Sequence, residues 1–304
     1  MLDYPIIDAH LHTFPRPEIG WQAQSGAGFS GHAGTIEELL PLMREGNIAK
    51  AVMVNMTPVF EMRQAALTKL PPGLSPAQRV EAEEQIRLDA IARLQRRNAW
   101  TCAMARENPG LVPFIGLDPS MDGVTMVQEI DDRVKEGARG IKLHPVNQRF
   151  FPTDGRLYPA YHKIEELGLP IISHAGTAAL IGDPEQHAHP ANFVEVLRSF
   201  PGLTLVFAHM AHGYLDETLE VMRTYPNVYF DSSAVIEGTV PSHMLSDDDA
   251  MAMLRRVGCH RVLFGSDWPW FHPIKDAQRI DSLPLSAEEK RLIFYENAQR
   301  VLGL

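Results

Sequence analysis

Two histidines near the start of the chain, His10 and His12, have the spacing of a metal-binding pair. They lie in residues 6–12 (IIDAHLH), where the apolar residues favour a buried strand. Alternate side chains of a strand point to one face, so the two imidazoles would lie side by side. Such a pair is half of a transition-metal site. An isolated His-x-His pair also occurs in solvated loops, so the interpretation depends on further ligands elsewhere.

Further polar residues follow other predicted strands, at the point where each strand ends. They are Lys142 and His144 (strand 4), His174 (strand 5), His209 (strand 6), Asp231 (strand 7) and Asp267 (strand 8). Five of the 13 histidines of the chain therefore lie at strand ends. Any one of these residues alone would be interpreted as an ordinary rim residue, but together they favour a single site.

The predicted secondary structure explains why these strand ends would meet. Eight short β-rich segments alternate with helices, and their near-continuous apolar character is typical of a parallel sheet. The predicted strands are 6–12, 50–55, 111–118, 140–144, 170–174, 203–209, 228–231 and 261–267. Eight such units predict one α/β domain over residues 1–304, a (β/α)8 TIM barrel, whose active site would lie at the carboxyl ends of the strands.

The segments between the strands are predicted as helices or loops. The predicted helices are 36–45, 75–108, 122–135, 158–167, 191–200, 216–225, 248–257 and 286–302. Thr35 and Glu38 have the spacing of a capping box at the start of the first helix. Residues 60–108 predict a helical insertion, either solvated or in contact with another subunit. The glycine- and proline-rich segment 13–34 predicts a long irregular loop.

Composition limits the classes of function. The chain has 304 residues, of which 45% are hydrophobic and 22% charged, and a formal net charge of -10. This acidic balance argues against nucleic acid or an anionic membrane as partner, although not against a small anionic substrate. The sequence has no apolar segment long enough to span a membrane and no secretory leader, so we expect a cytoplasmic protein. Cys102 and Cys259 are expected to be reduced thiols.

Four of the strand-end residues form a ligand set for a divalent metal. His10, His12 and His174 would supply imidazole nitrogens, and Asp267 a carboxylate oxygen. This set suits Zn²⁺, or alternatively Mn²⁺, with positions left open for water or substrate. A bound metal lowers the pKa of water from about 15.7 to about 7. Asp267 would then move the proton of that water to the leaving group, while His209 hydrogen-bonds the water or polarises the substrate carbonyl.

The motifs that carry these residues resemble the amidohydrolase superfamily of metal-dependent barrel enzymes. They are DAHLH at 8–12, ISHAG at 172–176, FAHM at 207–210 and FGSDWP at 264–269. They occur in the order of the superfamily and cover essentially the whole chain. The absence of an N-terminal sandwich domain and the GSDWP ending look like the branch that contains aminocarboxymuconate-semialdehyde decarboxylase, resorcylate-type decarboxylases and many hydrolases.

The resemblance implies roles for the same residues. His10, His12 and His174 would be metal ligands, Asp267 a ligand and the acid/base, and His209 a second-metal or substrate residue. The barrel would hold one or two divalent ions.

Lys142, in the segment GIKLHP at 140–145, separates two interpretations. Dinuclear hydrolases of the superfamily carry a carbamylated bridging lysine at the end of strand 4, whereas the decarboxylases of the branch are mononuclear and lack it. The sequence leaves open whether Lys142 or His144 reaches the metal. An unmodified Lys142 would instead bind a substrate carboxylate, and we count His144, Arg149 and Trp268 as further substrate-binding candidates.

Three functional hypotheses follow. The leading one is a metal-dependent hydrolase of a small carboxylated ester, lactone or amide. The alternative is a non-oxidative decarboxylase of an aromatic or muconate-type acid, in which Asp267 protonates carbon. The third, a metal-free binding module, is disfavoured by the intact ligand set. The expected partner is a small-molecule substrate, and the long helix 75–108 offers a surface for a homo-oligomer. Aromatic candidates for a substrate pocket are Trp21, Trp268, Trp270, Phe271 and His272.

Overall fold

The computed structural model describes residues 4–177 and 182–304, in which eight strands form one parallel sheet in sequential order. The strands are β1 (Ile6–Leu11), β2 (Ile48–Val54), β3 (Leu111–Gly116), β4 (Gly140–Leu143), β5 (Pro170–His174), β6 (Thr204–Ala208), β7 (Val228–Asp231) and β8 (Val262–Leu263). Each pairs in parallel with the next. This arrangement confirms the predicted α/β class and the (β/α)8 barrel.

Backbone hydrogen bonds between the first and last strand segments close the barrel. Ala9 N donates to Phe264 O at 2.8 Å, and Asp267 N donates to His10 O at 2.8 Å. The β8 ladder itself ends at Leu263, earlier than predicted, but the chain continues along β1 to the aspartate. The closing seam therefore fixes Asp267 beside His10.

Helices lie between successive strands. They are α1 (Pro17–Gln24), α2 (Ile36–Glu45), α3 (Val59–Leu67), α4 (Pro76–Glu107), α5 (Gly123–Lys135), α6 (Pro145–Gln148), α7 (Tyr158–Leu167), α8 (Val194–Ser199), α9 (Leu215–Thr224), α10 (Asp247–Val257), α11 (Pro273–Ser282), α12 (Ala287–Arg291) and α13 (Asn297–Val301). A π-helical turn, Leu292–Glu296, joins α12 to α13 within the helix predicted at 286–302. Among the described residues, no helix combines the length and the apolar character needed to cross a bilayer.

The capping box predicted at the start of α2 is confirmed. The Thr35 hydroxyl accepts a hydrogen bond from Glu38 N at 3.4 Å, and the Glu38 carboxylate accepts one from Thr35 N at 3.0 Å. These two bonds satisfy backbone groups that the first turn of a helix otherwise leaves unpaired. The boundary of this helix could be read from two residues.

The prediction of an irregular loop over residues 13–34 is wrong in part, because α1 lies within it. Pro17 occupies the first helical position, where its missing N–H costs nothing. Gly20 is inside the helix for packing, since an added Cβ would overlap the carbonyl oxygen of Ala33. The glycine and proline content of the segment favours a loop, whereas Gly20 allows the helix to approach the chain that follows.

The predicted helical insertion is confirmed as α3 and α4. The 32 residues of α4 extend over about 48 Å at 1.5 Å per residue. Its buried residues begin at Ala90, so the first half is solvated and the second half is the crossover helix between β2 and β3. Asn98 anchors it, donating to Gly116 O and accepting from Gly116 N, both at 2.9 Å.

The inner core of the barrel lies below the strand ends that carry the polar residues. Val52, Ile172 and Val206 belong to one buried cluster inside the barrel. His174 follows Ile172 by two residues and therefore shares its inward face. The apolar layer thus positions the first polar residue at the carboxyl end of β5.

Candidate metal centre

His10 is oriented by Asp231, which lies at the end of β7. His10 Nδ1 is 2.7 Å from Asp231 Oδ2, and both side chains are fully buried. A histidine that donates from one ring nitrogen to a carboxylate presents the other nitrogen as a metal ligand. The sequence placed Asp231 at a strand end without giving it a role, so this positioning residue was missed.

His12 and Asp267 complete a ligand group with His10. Asp267 Oδ1 is 3.3 Å from His12 Nε2 and 3.6 Å from His10 Nε2. The ligand atoms of the three residues all lie within 4.8 Å of one another. Three of the four predicted metal ligands are therefore brought together.

Lys142, rather than His144, reaches this group. The lysine is 1% exposed, and its Nζ lies 3.3 Å from His10 Nε2. His144 is the residue before α6, and its Nδ1 accepts a hydrogen bond from Asn147 N at 3.3 Å. The strand β4 ends at Leu143, so Lys142 lies within the strand and His144 follows it.

The other side of the centre consists of histidines from β4, β5 and β6. The rings of His144 and His174 are stacked, with centroids 4.2 Å apart and planes 6° apart. His209 lies across from them, 5.0 Å from His174 and 5.0 Å from His10 between ring centroids. His174 Nε2 is buried and has no hydrogen-bond partner in the described part of the chain. This unpaired nitrogen is available to a metal ion or a substrate.

The backbone at His209 is held in an unfavourable conformation. His209, Met210 and Ala211 all have positive φ, +57°, +48° and +50°. Each such residue costs about 1–2 kcal/mol in a left-handed conformation. Asp231 Oδ1 accepts a hydrogen bond from His209 N at 3.0 Å, and Ser233 Oγ lies 2.9 Å from His209 Nδ1. Asp231 therefore positions two histidines of the centre at once.

Asp267 has the same kind of conformation, with φ of +58°. Gly265, two residues earlier, allows the segment to lie close to β1, because an added Cβ would be 2.8 Å from His10 Cβ. Strained residues concentrate at functional sites. The GSD segment therefore allows the chain to lie close to β1 and also contains the predicted ligand Asp267.

The whole chain matches the family that this set of strand-end residues indicates. A family model described as Amidohydrolase matches residues 7–304. The chain belongs to the amidohydrolase family. No curated protein has a significant sequence match to this amidohydrolase.

Solved structures similar to this amidohydrolase share its fold over nearly the full length. An uncharacterized TIM-barrel protein from Bordetella bronchiseptica has 21% identity and a TM-score of 0.72, covering 99% of each chain. 5-Carboxyvanillate decarboxylase from Sphingomonas paucimobilis has 15% identity and a TM-score of 0.66, again covering 99% of each. A dihydroxybenzoic acid decarboxylase from Polaromonas sp. JS666, with bound manganese and 2-nitroresorcinol, has 16% identity and a TM-score of 0.73, covering 99% of this chain and 97% of that one.

The electrostatics of the amidohydrolase centre favour the protonation states that metal binding needs. Burial, assisted by Lys142, lowers the pKa of His10 to about 4, and burial also lowers the pKa of His12 and of His174. Burial opposes ionisation of Asp267, yet the His12 hydrogen bond and the nearby His209 and His10 lower its pKa to about 2. Neutral imidazoles and an ionised carboxylate are the forms that ligate metals.

The remaining predicted substrate residues lie apart from the ligand group. Trp268 is fully buried, with its ring 6.0 Å from that of His32. The tryptophan that packs against a ligand is Trp270, whose ring lies edge-on to His12 at 5.3 Å. Arg149 lies beyond α6, with Nη1 3.8 Å from an Asp183 carboxylate oxygen. Trp270 is therefore the aromatic candidate whose ring packs against a predicted metal ligand.

Proposed function

We propose that this amidohydrolase is a metal-dependent hydrolase that cleaves a small carboxylated ester, lactone or amide. The observation that carries the proposal is the buried Lys142, whose Nζ lies 3.3 Å from His10 Nε2. In dinuclear hydrolases of the superfamily that the sequence resembles, a carbamylated lysine at the end of strand 4 bridges two metals. The decarboxylases of the same branch lack this lysine.

The donor set fits a divalent ion. His10, His12 and Asp267 offer one ligand atom each within a small volume, and His174 has a buried nitrogen without a partner in the described chain. When bound, Zn²⁺ or Mn²⁺ supplies activation of water and polarisation of a carbonyl. Carbamylation would join the Lys142 nitrogen to the carbon of CO2 and release two protons, one from the ammonium group and one as the N–C bond forms, turning a buried cation into an anionic ligand.

Two residues would then move or direct the proton. Asp267 is ionised and lies close to both His10 and His12, so it accepts the proton of the attacking water and returns it to the leaving oxygen or nitrogen. His209 Nδ1 donates to Ser233 O at 3.2 Å, which leaves the unprotonated Nε2 to accept a hydrogen bond from the attacking water. Asp231 holds the backbone of His209 in place for this contact.

Non-oxidative decarboxylation is the second candidate, because two of the structural neighbours described above are named decarboxylases. In that reaction an unmodified Lys142 would pair with the substrate carboxylate, and Asp267 would deliver a proton to the ring carbon. The two candidates therefore differ in the chemical state of one lysine.

A product assay separates the two reactions. The Zn- or Mn-loaded enzyme is incubated in ¹⁸O-labelled water with carboxylated lactones and esters, and separately with 2,6-dihydroxybenzoate. We expect ¹⁸O in the hydrolysis product and no CO2 from the aromatic acid. Release of CO2 with no hydrolytic product from any member of the panel would contradict the proposal.

A further inference from the structure

We propose that a pocket on the barrel rim, lined by Arg63 and Arg149, binds the anionic group of the substrate. The pocket has a volume of about 100 Å³, and its lining also contains Arg156, Asp118 and Gln148. This volume suits a carboxylate or phosphate group rather than a whole drug-sized ligand. The inference rests on the proposed function, which places the reacting end of the molecule at the metal centre. We call this the rim pocket.

The rim pocket opens on the same end of the barrel as the metal centre. Arg63 lies on α3, which follows the end of β2. Asp118 follows the end of β3, and Arg149 follows α6 beyond the end of β4. Because the carboxyl ends of parallel strands meet at one face, a substrate at the centre can extend toward this pocket.

Gln148 connects the rim pocket to the histidines of the centre. Its Nε2 donates to Asp118 Oδ2 at 3.1 Å, and its Oε1 accepts from His144 N at 3.0 Å. His144 in turn stacks on His174, the predicted ligand from β5. Gln148 thus hydrogen-bonds both a residue of the rim pocket and the backbone of a histidine that stacks in the centre.

The guanidinium groups of the rim pocket retain donors for an anion. Arg63 Nε is buried and has no hydrogen-bond partner among residues 4–177 and 182–304. Arg149 Nη1 comes no closer than 3.8 Å to Asp183 Oδ1. Arg156, by contrast, is paired with Asp154 through two hydrogen bonds, of which the one from Nε measures 2.9 Å. The Arg156 side chain is also 61% exposed. A buried polar atom without a partner is costly, so a hydrogen-bond acceptor is expected at Arg63 Nε.

Asp118 does not fill that need. Its Oδ1 accepts from Ser120 N at 2.8 Å, and its Oδ2 accepts from Gln148. Burial raises the pKa of Asp118, while its hydrogen bonds and the nearby Arg63 oppose that rise. The planar donors of arginine match the two oxygens of a carboxylate or the oxygens of a phosphate.

The proposed chemistry of Lys142 makes such a pocket necessary. A carbamylated Lys142 is anionic and cannot pair with a substrate carboxylate. Arg63 and Arg149 then provide the cations that select a carboxylated molecule, and we infer that they determine specificity. Arg149 adopts a left-handed backbone conformation, φ +50°, which directs the chain at this corner.

Calorimetric binding with three probes tests the inference. The probes are inorganic phosphate, glutarate and the uncharged glutaramide, titrated into wild type, Arg63→Met and Arg79→Met. Arg79 is a matched control, because it is 64% exposed on α4 and pairs with Glu83. We expect wild type to bind at least one anion more tightly than glutaramide, with Arg63→Met weakened about ten-fold or more and Arg79→Met unchanged.

The outcomes separate the anion classes and the site. Preference for phosphate indicates a phosphorylated substrate, and preference for glutarate a carboxylated one; both support the rim pocket. Equal anion binding by Arg63→Met and wild type, or no anion binding by wild type, would overturn it. If Arg63→Met fails to fold by circular dichroism, Arg149→Met replaces it under the same criteria.

Metal removal distinguishes this inference from the proposed function. The rim pocket contains none of the predicted metal ligands, so chelator treatment should leave anion affinity within about two-fold of the untreated value. Loss of anion binding on chelation would place the anion on the metal and overturn the pocket. Intact anion binding without any hydrolytic turnover would instead contradict only the hydrolase proposal.

Discussion

The two sides of the metal centre differ in how their polar groups are paired. On the side built by β7, β8 and β1, His10 is paired with Asp231 and His12 with Asp267. On the side built by β4 and β5, His144 and His174 stack on each other, and the buried Nε2 of His174 has no partner in the described chain. We call these the paired side and the stacked side.

The difference indicates that only the paired side has its polar side chains paired within the protein. Carboxylates fix the imidazoles of the paired side, as expected of ligands held ready for a metal. Buried polar groups are normally hydrogen-bonded, so the free nitrogen of the stacked side marks where metal or substrate must contribute. Lys142 lies next to the paired side, and its proposed carbamylation would connect the paired side with the stacked side.

Asp267→Asn should have the largest effect, because it removes both a ligand and the proposed proton acceptor from the paired side. We expect kcat to fall by about 10²–10⁴-fold for the loss of the acid/base alone. Asp276→Asn is the matched control, because that buried carboxylate bonds instead to Gly238 N and Thr239 Oγ1. Equal losses in both variants, measured at saturating metal, would refute the role of Asp267.

Asp231→Asn should weaken metal binding without removing a direct ligand of the predicted set. Losing the carboxylate that orients His10 and His209 should cost about 10–100-fold in metal affinity. Competition with a fluorescent chelator measures this affinity, and Ser232→Ala, beside it in sequence, serves as the control. An unchanged affinity would mean that the paired side is not preorganised by Asp231.

His174→Phe, on the stacked side, should not lower the stability of the metal-free protein, whereas Asp231→Asn, on the paired side, should lower it. In metal-free protein the substitution removes an unsatisfied buried nitrogen, so the free energy of unfolding should stay the same or rise. Asp231→Asn in the same buffer should lower it by about 1–3 kcal/mol, because a buried charged hydrogen bond is lost. Urea denaturation with chelator present measures both, and a loss of more than about 1 kcal/mol for His174→Phe would contradict the comparison.

Asp276 should give a pH dependence of stability opposite in sign to that of Asp267. Burial, with Glu237 and Asp8 adding to it, raises the pKa of Asp276 to about 8 against hydrogen bonds that lower it. The folded protein therefore retains a proton that the unfolded chain releases near pH 4, so this contribution to stability decreases from pH 4 to pH 8. Comparing the unfolding free energy of wild type and Asp276→Asn across this range checks the sign; a contribution that grows with pH would contradict it.

Sequence reasoning identified the strand-end residues because a parallel barrel brings them together whatever their spacing. It could not decide whether Lys142 or His144 reaches the metal, because the two side chains point to the same face only if both residues belong to the strand. The strand ends at Leu143, and His144 turns to bond with the backbone of α6. The residue at which a short strand ends depends on tertiary contacts, which cannot be inferred from the alternation of side chains along the sequence.

The role of Asp231 was beyond the sequence for a related reason. Its contact with His10 joins residues 221 positions apart, and only the closed barrel defines that distance. The helix around Gly20 was missed because a glycine that ends a helix and a glycine that allows close packing cannot be told apart in the sequence. The capping box at Thr35, by contrast, involves neighbours three residues apart and was predicted correctly.

The most direct test of the central claim is the number of divalent ions per chain in the active enzyme. Wild type and Lys142→Met are purified without chelator in bicarbonate buffer and analysed by inductively coupled plasma mass spectrometry beside the hydrolysis assay. The account predicts two ions per wild-type chain, and one ion with loss of hydrolysis in Lys142→Met. Full hydrolytic activity in wild type that holds one ion per chain or fewer would contradict it.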